Sequence, residues 1–183
     1  VRSVQAGERV MALLRRLYGQ LHLTVNETKS AVASVFGPKF LGYSLWVARG
    51  GEVKRRVADK PMATFTQTVR RLTRRSGGCS MHQVVERLRP YLLGWQAYYG
   101  LAQTPRVWRE LDEGLRHRLR AIQLKQWKRG ITTYRELRAL GASVDVAAQV
   151  AANTRHWWRN SGGLLNSVLT IAWFDRLGLP RLS

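Results

Sequence analysis

The residues best able to do chemistry in this chain are arginines, which occur in clusters. One cluster follows Pro61 and comprises Arg70, Arg71, Arg74 and Arg75. In a helix these positions share one arc, because residues three or four apart are neighbours on a helix surface. Like charges at this spacing repel one another, and a row of phosphates would remove the repulsion. The cluster therefore predicts contact with a phosphate backbone, with a solvated helix face as the alternative.

A second arc is expected on the longest predicted helix, beside its apolar stripe. Basic residues also precede the first cluster and follow the second arc. The full set of candidate nucleic-acid-binding residues adds Lys54, Arg55, Arg56, Lys60, Arg109, Arg116, Arg120, Lys125, Trp127, Lys128 and Arg129. Trp127 is included because an aromatic ring among cations can stack on a base. Two arcs in one chain favour a binding groove over two solvated faces.

The charge of the whole chain agrees with this interpretation. Its 183 residues contain 31 Lys and Arg against 11 Asp and Glu, a net charge of +20. Hydrophobic residues make up 45%, which is enough to bury a core and argues against a disordered basic tail. A positive field of this size implies a polyanionic partner. A generic arginine-rich surface is the alternative explanation.

Other kinds of site find little support. The single Cys79 excludes a disulfide framework and a Cys-pair zinc site, and the four histidines are scattered, so no metal ligands are predicted. No apolar run is long enough to span a membrane, and no signal peptide opens the chain. We therefore expect a cytoplasmic protein, or one of an organelle matrix in a eukaryote.

Periodicity predicts which elements position these residues. Residues 4–22 form an amphipathic pattern with Ser3 as a helix cap. The segments 23–26, 30–35, 39–48 and 52–58 are predicted as short antiparallel strands. From Pro61 onward the pattern is helical, with helices over about 61–75, 80–99 with an interruption at Pro90, and 105–128, then two shorter ones separated at Gly141.

The order of several motifs resembles the reverse transcriptases encoded by group II introns. "LTVNETKS" is similar to the turn after the palm helix of that family, and "FLGY" to a hairpin that follows it. "GWQAYYG", "LDEGLRHRLRAIQLKQWKR" and the final "LGLPRL" resemble its maturase-specific region and C-terminus. The resemblance covers essentially the whole chain, and the order of the motifs makes it specific.

The resemblance implies an α+β, mainly α-helical fold with two domains. Residues 1–60 would be the end of the palm, a helix with a small antiparallel β-hairpin region. Residues 61–183 would be the helical thumb and maturase-specific bundle. The expected function is RNA binding in the C-terminal portion of a reverse transcriptase/maturase, assisting intron splicing and RNA-directed DNA synthesis. The expected partners are group II intron RNA and a template–primer duplex, with target DNA as a further possibility.

The same resemblance assigns roles to five residues. Lys29 would lie near the phosphates of the incoming nucleotide in the full enzyme. Phe40, Leu41, Gly42 and Tyr43 would form the hairpin that supports the primer 3′ end. An exposed turn lysine and an ordinary strand glycine are the alternatives.

Polymerase chemistry itself is not expected from this chain. That chemistry needs carboxylates that hold two Mg²⁺ ions, and the family carries them in a Y-x-D-D motif just before the helix at 4–22. The chain contains no adjacent Asp pair, and its one acidic doublet is Asp112-Glu113. We therefore expect no cofactor in this chain and Mg²⁺ in the full-length enzyme.

A non-enzymatic DNA-binding protein is the competing hypothesis. Residues 131–153 could form a helix-turn-helix around Gly141. The second helix, "SVDVAAQVAAN", contains no Arg or Lys, which makes it a poor recognition helix for a major groove.

Overall fold

The computed structural model describes residues 3–37, 39–74 and 77–183. These residues form eight α-helices and one two-stranded antiparallel sheet, so the predicted α+β, mainly α-helical class is confirmed. The chain divides into two compact units, Val1–Ala58 and Asp59–Ser183. The domain boundary predicted from the sequence lies two residues beyond this division.

The first unit opens with helix α1, Val4–Gln20. The Ser3 side chain accepts a hydrogen bond from the Ala6 backbone N–H at 3.2 Å, which confirms the predicted cap. Arg15 then donates two hydrogen bonds to the Glu27 carboxylate, at 2.8 and 2.7 Å, and lowers the pKa of that carboxyl. This exposed pair connects α1 to the turn that carries Lys29. The apolar stripe of α1 is itself exposed, at Val10, Leu13, Leu17 and Leu21.

The sheet consists of β1, Tyr43–Val47, and β2, Val53–Val57. Tyr43 faces Val57, and Val47 faces Val53. In the connecting loop, Gly51 has a φ of +79° and its N–H donates to the Ala48 carbonyl oxygen at 2.9 Å. A glycine at this left-handed position is what a short hairpin loop with a bulge requires.

Two of the predicted strands are not formed. Residues 23–26 and 30–35 have no strand structure, and the apolar side chains of Leu23 and Val35 are exposed. Alternating apolar residues predict a strand only where a neighbouring strand accepts the backbone hydrogen bonds and covers the apolar face. The described residues of this unit offer the segments no such neighbour.

The second unit begins with α2, Asp59–Leu72, and α3, Met81–Tyr99. The predicted interruption at Pro90 is wrong, because α3 continues through it. Leu88 and Leu92, which flank Pro90, are both completely buried. Packing on both sides of the proline therefore outweighs the loss of one backbone hydrogen bond. Phe65 of α2 packs on the ring of Trp95, with centroids 4.7 Å apart.

Helix α4, Pro105–Trp127, is the longest element and runs through the centre of this unit. Its predicted apolar stripe is formed, with Trp108, Leu115, Leu119 and Ile122 buried. Two shorter helices follow, α5 at Gly130–Ala139 and α6 at Val144–Ala152. Gly141 has a φ of +91°, in agreement with the predicted stop between them.

The chain ends in α7, Trp157–Gly162, and α8, Ile171–Arg176, with 3₁₀ turns at Thr154–His156 and Leu164–Ser167. Leu165, Leu169 and Phe174 are completely buried. These last residues therefore belong to the core that surrounds α4.

Candidate nucleic-acid interface

Three adjacent cavities lie along one side of the C-terminal half of α4. The largest, of about 590 Å³, is lined by Arg74, Lys125 and Lys128 together with the loop before α3. A second, of about 360 Å³, shares Lys125 and Lys128 and adds Arg155. A third, of about 240 Å³, is lined by Arg118 and shares Ile122 with the first and Trp157 with the second. We call the combined surface the basic groove and define it by Arg74, Arg118, Lys125, Lys128, Arg155, Trp157 and Trp158.

The wall of the first cavity is held against α4 by polar contacts of one loop. Gln126 of α4 donates from Nε2 to the Cys79 carbonyl oxygen at 2.8 Å. Arg87 donates from Nη1 to the Cys79 sulfur at 3.1 Å. Ser80 and Gln83 cap the first turn of α3 reciprocally, which satisfies two of its free N–H groups. Cys79 and Ser80 are therefore held in place beside the C-terminal turn of α4.

Lys128 has an unusual backbone. It has a φ of +60° and a ψ of −59°, and the Arg129 N–H donates to the Trp127 carbonyl oxygen at 2.6 Å. This is the γ-turn of positive φ, which is rare and strained for a residue with a side chain. The turn ends α4 and directs the chain into α5. It also places Lys128 where both of the larger cavities meet.

The aromatic end of the groove is positioned by His117. Its Nε2 lies 2.9 Å from the Trp158 carbonyl oxygen, and the two rings stack with centroids 4.0 Å apart. Because a carbonyl oxygen can only accept, Nε2 must carry the proton. A Cβ at Gly162 would lie 3.0 Å from the His117 ring, so a glycine permits this close approach.

Arg118 contributes a partly buried positive charge. Its Nε donates to the Thr73 hydroxyl at 2.8 Å, and its Nη2 lies 3.5 Å from the Arg70 carbonyl oxygen. Burial lowers the pKa of Arg118, and the nearby charge of Arg70 lowers it further. Two cations therefore lie close together here, and an incoming phosphate would relieve their repulsion.

Carboxylates are absent from the part of the groove lining that the structure describes. No Asp or Glu lines any of the three cavities among the described residues. The ion pairs found in the described ranges do not include Arg74, Lys125, Lys128 or Arg155. The positive charge of the groove is therefore not balanced by an acidic side chain, as expected of a surface that binds phosphates.

The sequence-predicted basic residues fall into three places. Arg74, Lys125 and Lys128 lie in the groove. Six others are exposed and do not line the groove: Arg55, Arg56, Lys60, Arg70, Arg71 and Arg129. Lys54 is half-buried and pairs with Glu52, with Nζ 3.0 Å from Oε2, and Trp127 is half-buried at the end of α4. Arg75 lies outside the described residues. The RNA-binding role of each stays a prediction.

The second predicted arc, Arg109, Arg116 and Arg120, was expected on the surface of α4, but the structure buries two of its three arginines. Arg116 and Arg120 are buried, at 4% and 6% exposure, whereas Arg109 is exposed. All three line another cavity, together with Asp112 and Glu113. An arginine beside an apolar stripe can be drawn into the core when a carboxylate or carbonyl receives its N–H groups, and the sequence does not show that partner.

The predicted palm residues have simple local environments in the first unit. Lys29 is exposed, and its N–H donates to the Asn26 carbonyl and side-chain oxygens at 3.1 and 3.2 Å. Phe40 and Tyr43 exchange backbone hydrogen bonds at 3.0 and 2.8 Å across Leu41 and Gly42. Both central residues have positive φ, at +49° and +78°. Gly42 therefore meets the requirement of a tight hairpin turn, and Leu41 is strained there.

Sequence reasoning missed Arg118, Arg155, Trp157 and Trp158. The run "RHWWR" at 155–159 interleaves cations with aromatic rings, which was the available signal. Arg118 had no such signal, because its partner Thr73 lies on a different element.

The described residues contain no group of three or more His, Cys, Asp or Glu able to hold a metal ion. No helix in the described ranges has the length and apolar character needed to span a membrane.

Residues 62–141 match the family model of the group II intron, maturase-specific domain. The matched segment includes α2 from its first turn, α3, α4 and α5, and so three of the basic residues of the groove that were predicted from the sequence. The match supports a maturase-related role in group II intron splicing, and a maturase domain implies interaction with the intron RNA. No curated protein matches the chain at a significant level.

Proposed function

We propose that the unit Asp59–Ser183 binds group II intron RNA through the basic groove and thereby assists splicing. The observation that carries the proposal is the groove itself, in which Arg74, Lys125, Lys128 and Arg155 face common cavities without a carboxylate among the described lining residues. Each cation that contacts a phosphate releases condensed counterions, which is the main source of affinity for a polyanion.

The basic groove is expected to bind duplex RNA more tightly than B-form DNA. The major groove of an A-form duplex is too narrow for side chains, so such a duplex is recognised by its shape, phosphates and 2′-hydroxyls. The basic side chains of the groove suit phosphate contact. Trp157, which lines two of the cavities, supplies an aromatic face for an unpaired base next to a helix.

In a longer reverse transcriptase the same surface would also hold the template–primer duplex. There the turn at Lys29 would approach the nucleotide phosphates, and Phe40–Tyr43 would support the primer end. The exposure of Lys29 and of the Phe40 and Leu41 side chains supports such contacts. Mg²⁺ would be held by carboxylates outside this chain.

The decisive experiment compares duplexes of equal length and charge in one buffer near physiological salt. We expect the 183-residue chain to bind an RNA duplex more tightly than B-form DNA of the same length. A triple variant, Arg74→Gln, Lys125→Gln and Lys128→Gln, should weaken RNA binding by about tenfold or more, because each lost phosphate contact removes counterion release.

A matched control removes the same charge elsewhere. Arg89, Arg135 and Arg176 of the same unit are exposed and do not line the groove, and their replacement by Gln should weaken RNA binding only slightly. Equal losses in the two triple variants would show that net charge, and not the groove, determines binding. Tighter binding of B-form DNA would reject the proposal.

The helix-turn-helix hypothesis retains one supporting observation, since α5 and α6 are joined by a short turn at Gly141. The exposed face of α6 carries Val144, Asp145, Ala148 and Gln149 and no cation. A DNA-binding protein of this type should lose sequence-selective DNA binding on substitution of Gln149. The RNA-binding proposal expects no effect of that change.

A further inference from the structure

A separate cavity of about 470 Å³ lies on the other side of α4. It is lined by Arg109, Asp112, Arg116 and Arg120, whereas Arg118 and Lys125 face the basic groove. Since successive helix residues are rotated by about 100°, these two sets point about 170° apart around the helix axis. An occupant of this cavity would therefore be distinct from whatever fills the basic groove.

Arg116 is the buried cation of this cavity. Its side chain is 4% exposed, and its Nη1 lies 3.2 Å from the Asp112 Oδ1. The two other guanidinium nitrogens, Nε and Nη2, are buried and have no acceptor among the residues that the structure describes. Guanidinium N–H groups without an acceptor are costly inside a protein, and each such case calls for an explanation.

Asp112 cannot supply the missing acceptors. Its oxygens already receive the backbone N–H groups of Leu182 and Ser183, all at 3.1 Å, and the Ser183 hydroxyl at 2.8 Å. The carboxylate is thus engaged by the last two residues as well as by Arg116. The remaining N–H groups of Arg116 need oxygen atoms from elsewhere.

The surroundings of Arg116 carry an excess of positive charge. Arg120 donates from Nε to the Leu169 carbonyl oxygen at 2.9 Å, and its guanidinium lies 5.6 Å from the centre of the Phe174 ring. Arg109 and Arg181 are exposed at the edge, and Arg181 pairs with Asp175. Because Asp175 neutralises Arg181, three arginines of the lining, Arg109, Arg116 and Arg120, remain against the two carboxylates Asp112 and Glu113.

We propose that this cavity is a binding site for a phosphate-type oxyanion, with Arg116 as its buried donor and Arg109 and Arg120 beside it. A tetrahedral oxyanion carries several oxygen acceptors on one small group, and acceptors are what the Nε and Nη2 nitrogens of Arg116 lack. The planar guanidinium matches phosphate geometry through paired N–H groups. Both an RNA phosphodiester and a free phosphate offer this chemistry, and the site does not depend on the basic groove.

The test follows the Arg116 side chain directly. Inorganic phosphate is titrated into the ¹⁵N-labelled 183-residue chain at constant ionic strength, and the Nε–Hε resonance of Arg116 is recorded. We expect a saturable shift. Arg109→Gln should weaken phosphate binding by about tenfold, since it removes one charge-assisted hydrogen bond at the exposed edge.

Arg106→Gln is the matched control, because Arg106 is exposed on the same helix but pairs with Glu110 outside the cavity lining. This control should leave the phosphate affinity unchanged. An Arg116 resonance that does not saturate, or equal effects of the two variants, would overturn the proposal. Arg109 is exposed, so the test does not depend on a variant that fails to fold.

A second arm identifies the source of the oxyanion. An RNA duplex is added to the Arg74→Gln, Lys125→Gln, Lys128→Gln variant, whose basic groove is weakened. A shift of the Arg116 resonance by RNA assigns the site to a phosphodiester. A shift of this resonance by inorganic phosphate but not by RNA assigns the site to a free phosphate. If neither RNA nor inorganic phosphate shifts the resonance, the site is rejected, whether or not the basic groove binds RNA.

Discussion

The carbonyl oxygen of Trp127 accepts a hydrogen bond from the N–H of Arg129 at 2.6 Å, which closes a γ-turn centred on Lys128. This relationship joins α4 to α5 and places a lysine between the two largest cavities of the basic groove. A strained backbone at a residue with an exposed cationic side chain is typical of sites where position matters more than stability.

Relief of the backbone strain at Lys128 should raise the stability of the protein, whereas loss of its charge should weaken RNA binding. Lys128→Gly is expected to raise the free energy of unfolding by about 1 kcal/mol, because glycine accepts positive φ and the entropy it adds to the unfolded chain offsets only part of the gain. The same change should weaken RNA binding. Lys128→Gln should weaken binding without the gain in stability, as measured by urea unfolding and RNA titration.

The four arginines at positions 70, 71, 74 and 75 should contact backbone phosphates and not base edges. Replacing Arg70, Arg71, Arg74 and Arg75 together by Gln is expected to flatten the slope of log K against log[salt] by about 2 to 4 units, on the counterion-release rule. The slope is measured by titrating structured RNA at several salt concentrations. An unchanged slope would mean that these arginines face solvent in the complex.

Two tryptophans should differ in their effect on RNA binding. Trp157→Ala is expected to weaken binding of RNA with an unpaired base by roughly tenfold, the loss of one stacked base. Trp127→Ala should also reduce binding, and by less, because Trp127 is half-buried outside the lining of the groove. Circular dichroism serves as the control that helicity is retained in both.

Loss of the Asp112 carboxylate should destabilise the second unit. Asp112→Ala leaves Arg116 as an uncompensated buried charge and removes the acceptor of two backbone N–H groups. The free energy of unfolding should therefore fall by about 3 to 5 kcal/mol. Glu113→Ala is the matched control, because Glu113 is the next residue along the helix and its side chain is exposed. Chemical denaturation of both variants gives the comparison, and similar losses would contradict a special role for Asp112.

The chain by itself should not extend a primer. Templated extension needs carboxylates that hold two metal ions, and the sequence contains no adjacent Asp pair. Primer extension with Mg²⁺ and with Mn²⁺ is therefore expected to give no product from a purified preparation, even at concentrations that saturate RNA binding. Product that depends on the template would disprove this.

The sequence by itself determined the fold class and most of the helices, and it predicted a polyanionic partner. These follow from local signals: the apolar period of α4, the caps at Ser3 and Gly141, and an excess of arginine spread over the chain. Such signals act between residues close in sequence, so they survive without knowledge of the tertiary structure.

Only the tertiary structure decided which cations share a surface. Arg116 and Arg118 are two residues apart on α4, yet Arg116 is buried against Asp112 and Arg118 bonds to Thr73 of the basic groove wall. Trp157 reaches the groove from far along the chain, and Pro90 remains helical because the residues around it are buried. Long-range packing sets these outcomes, because burial and hydrogen-bond partners come from distant elements that no local pattern specifies.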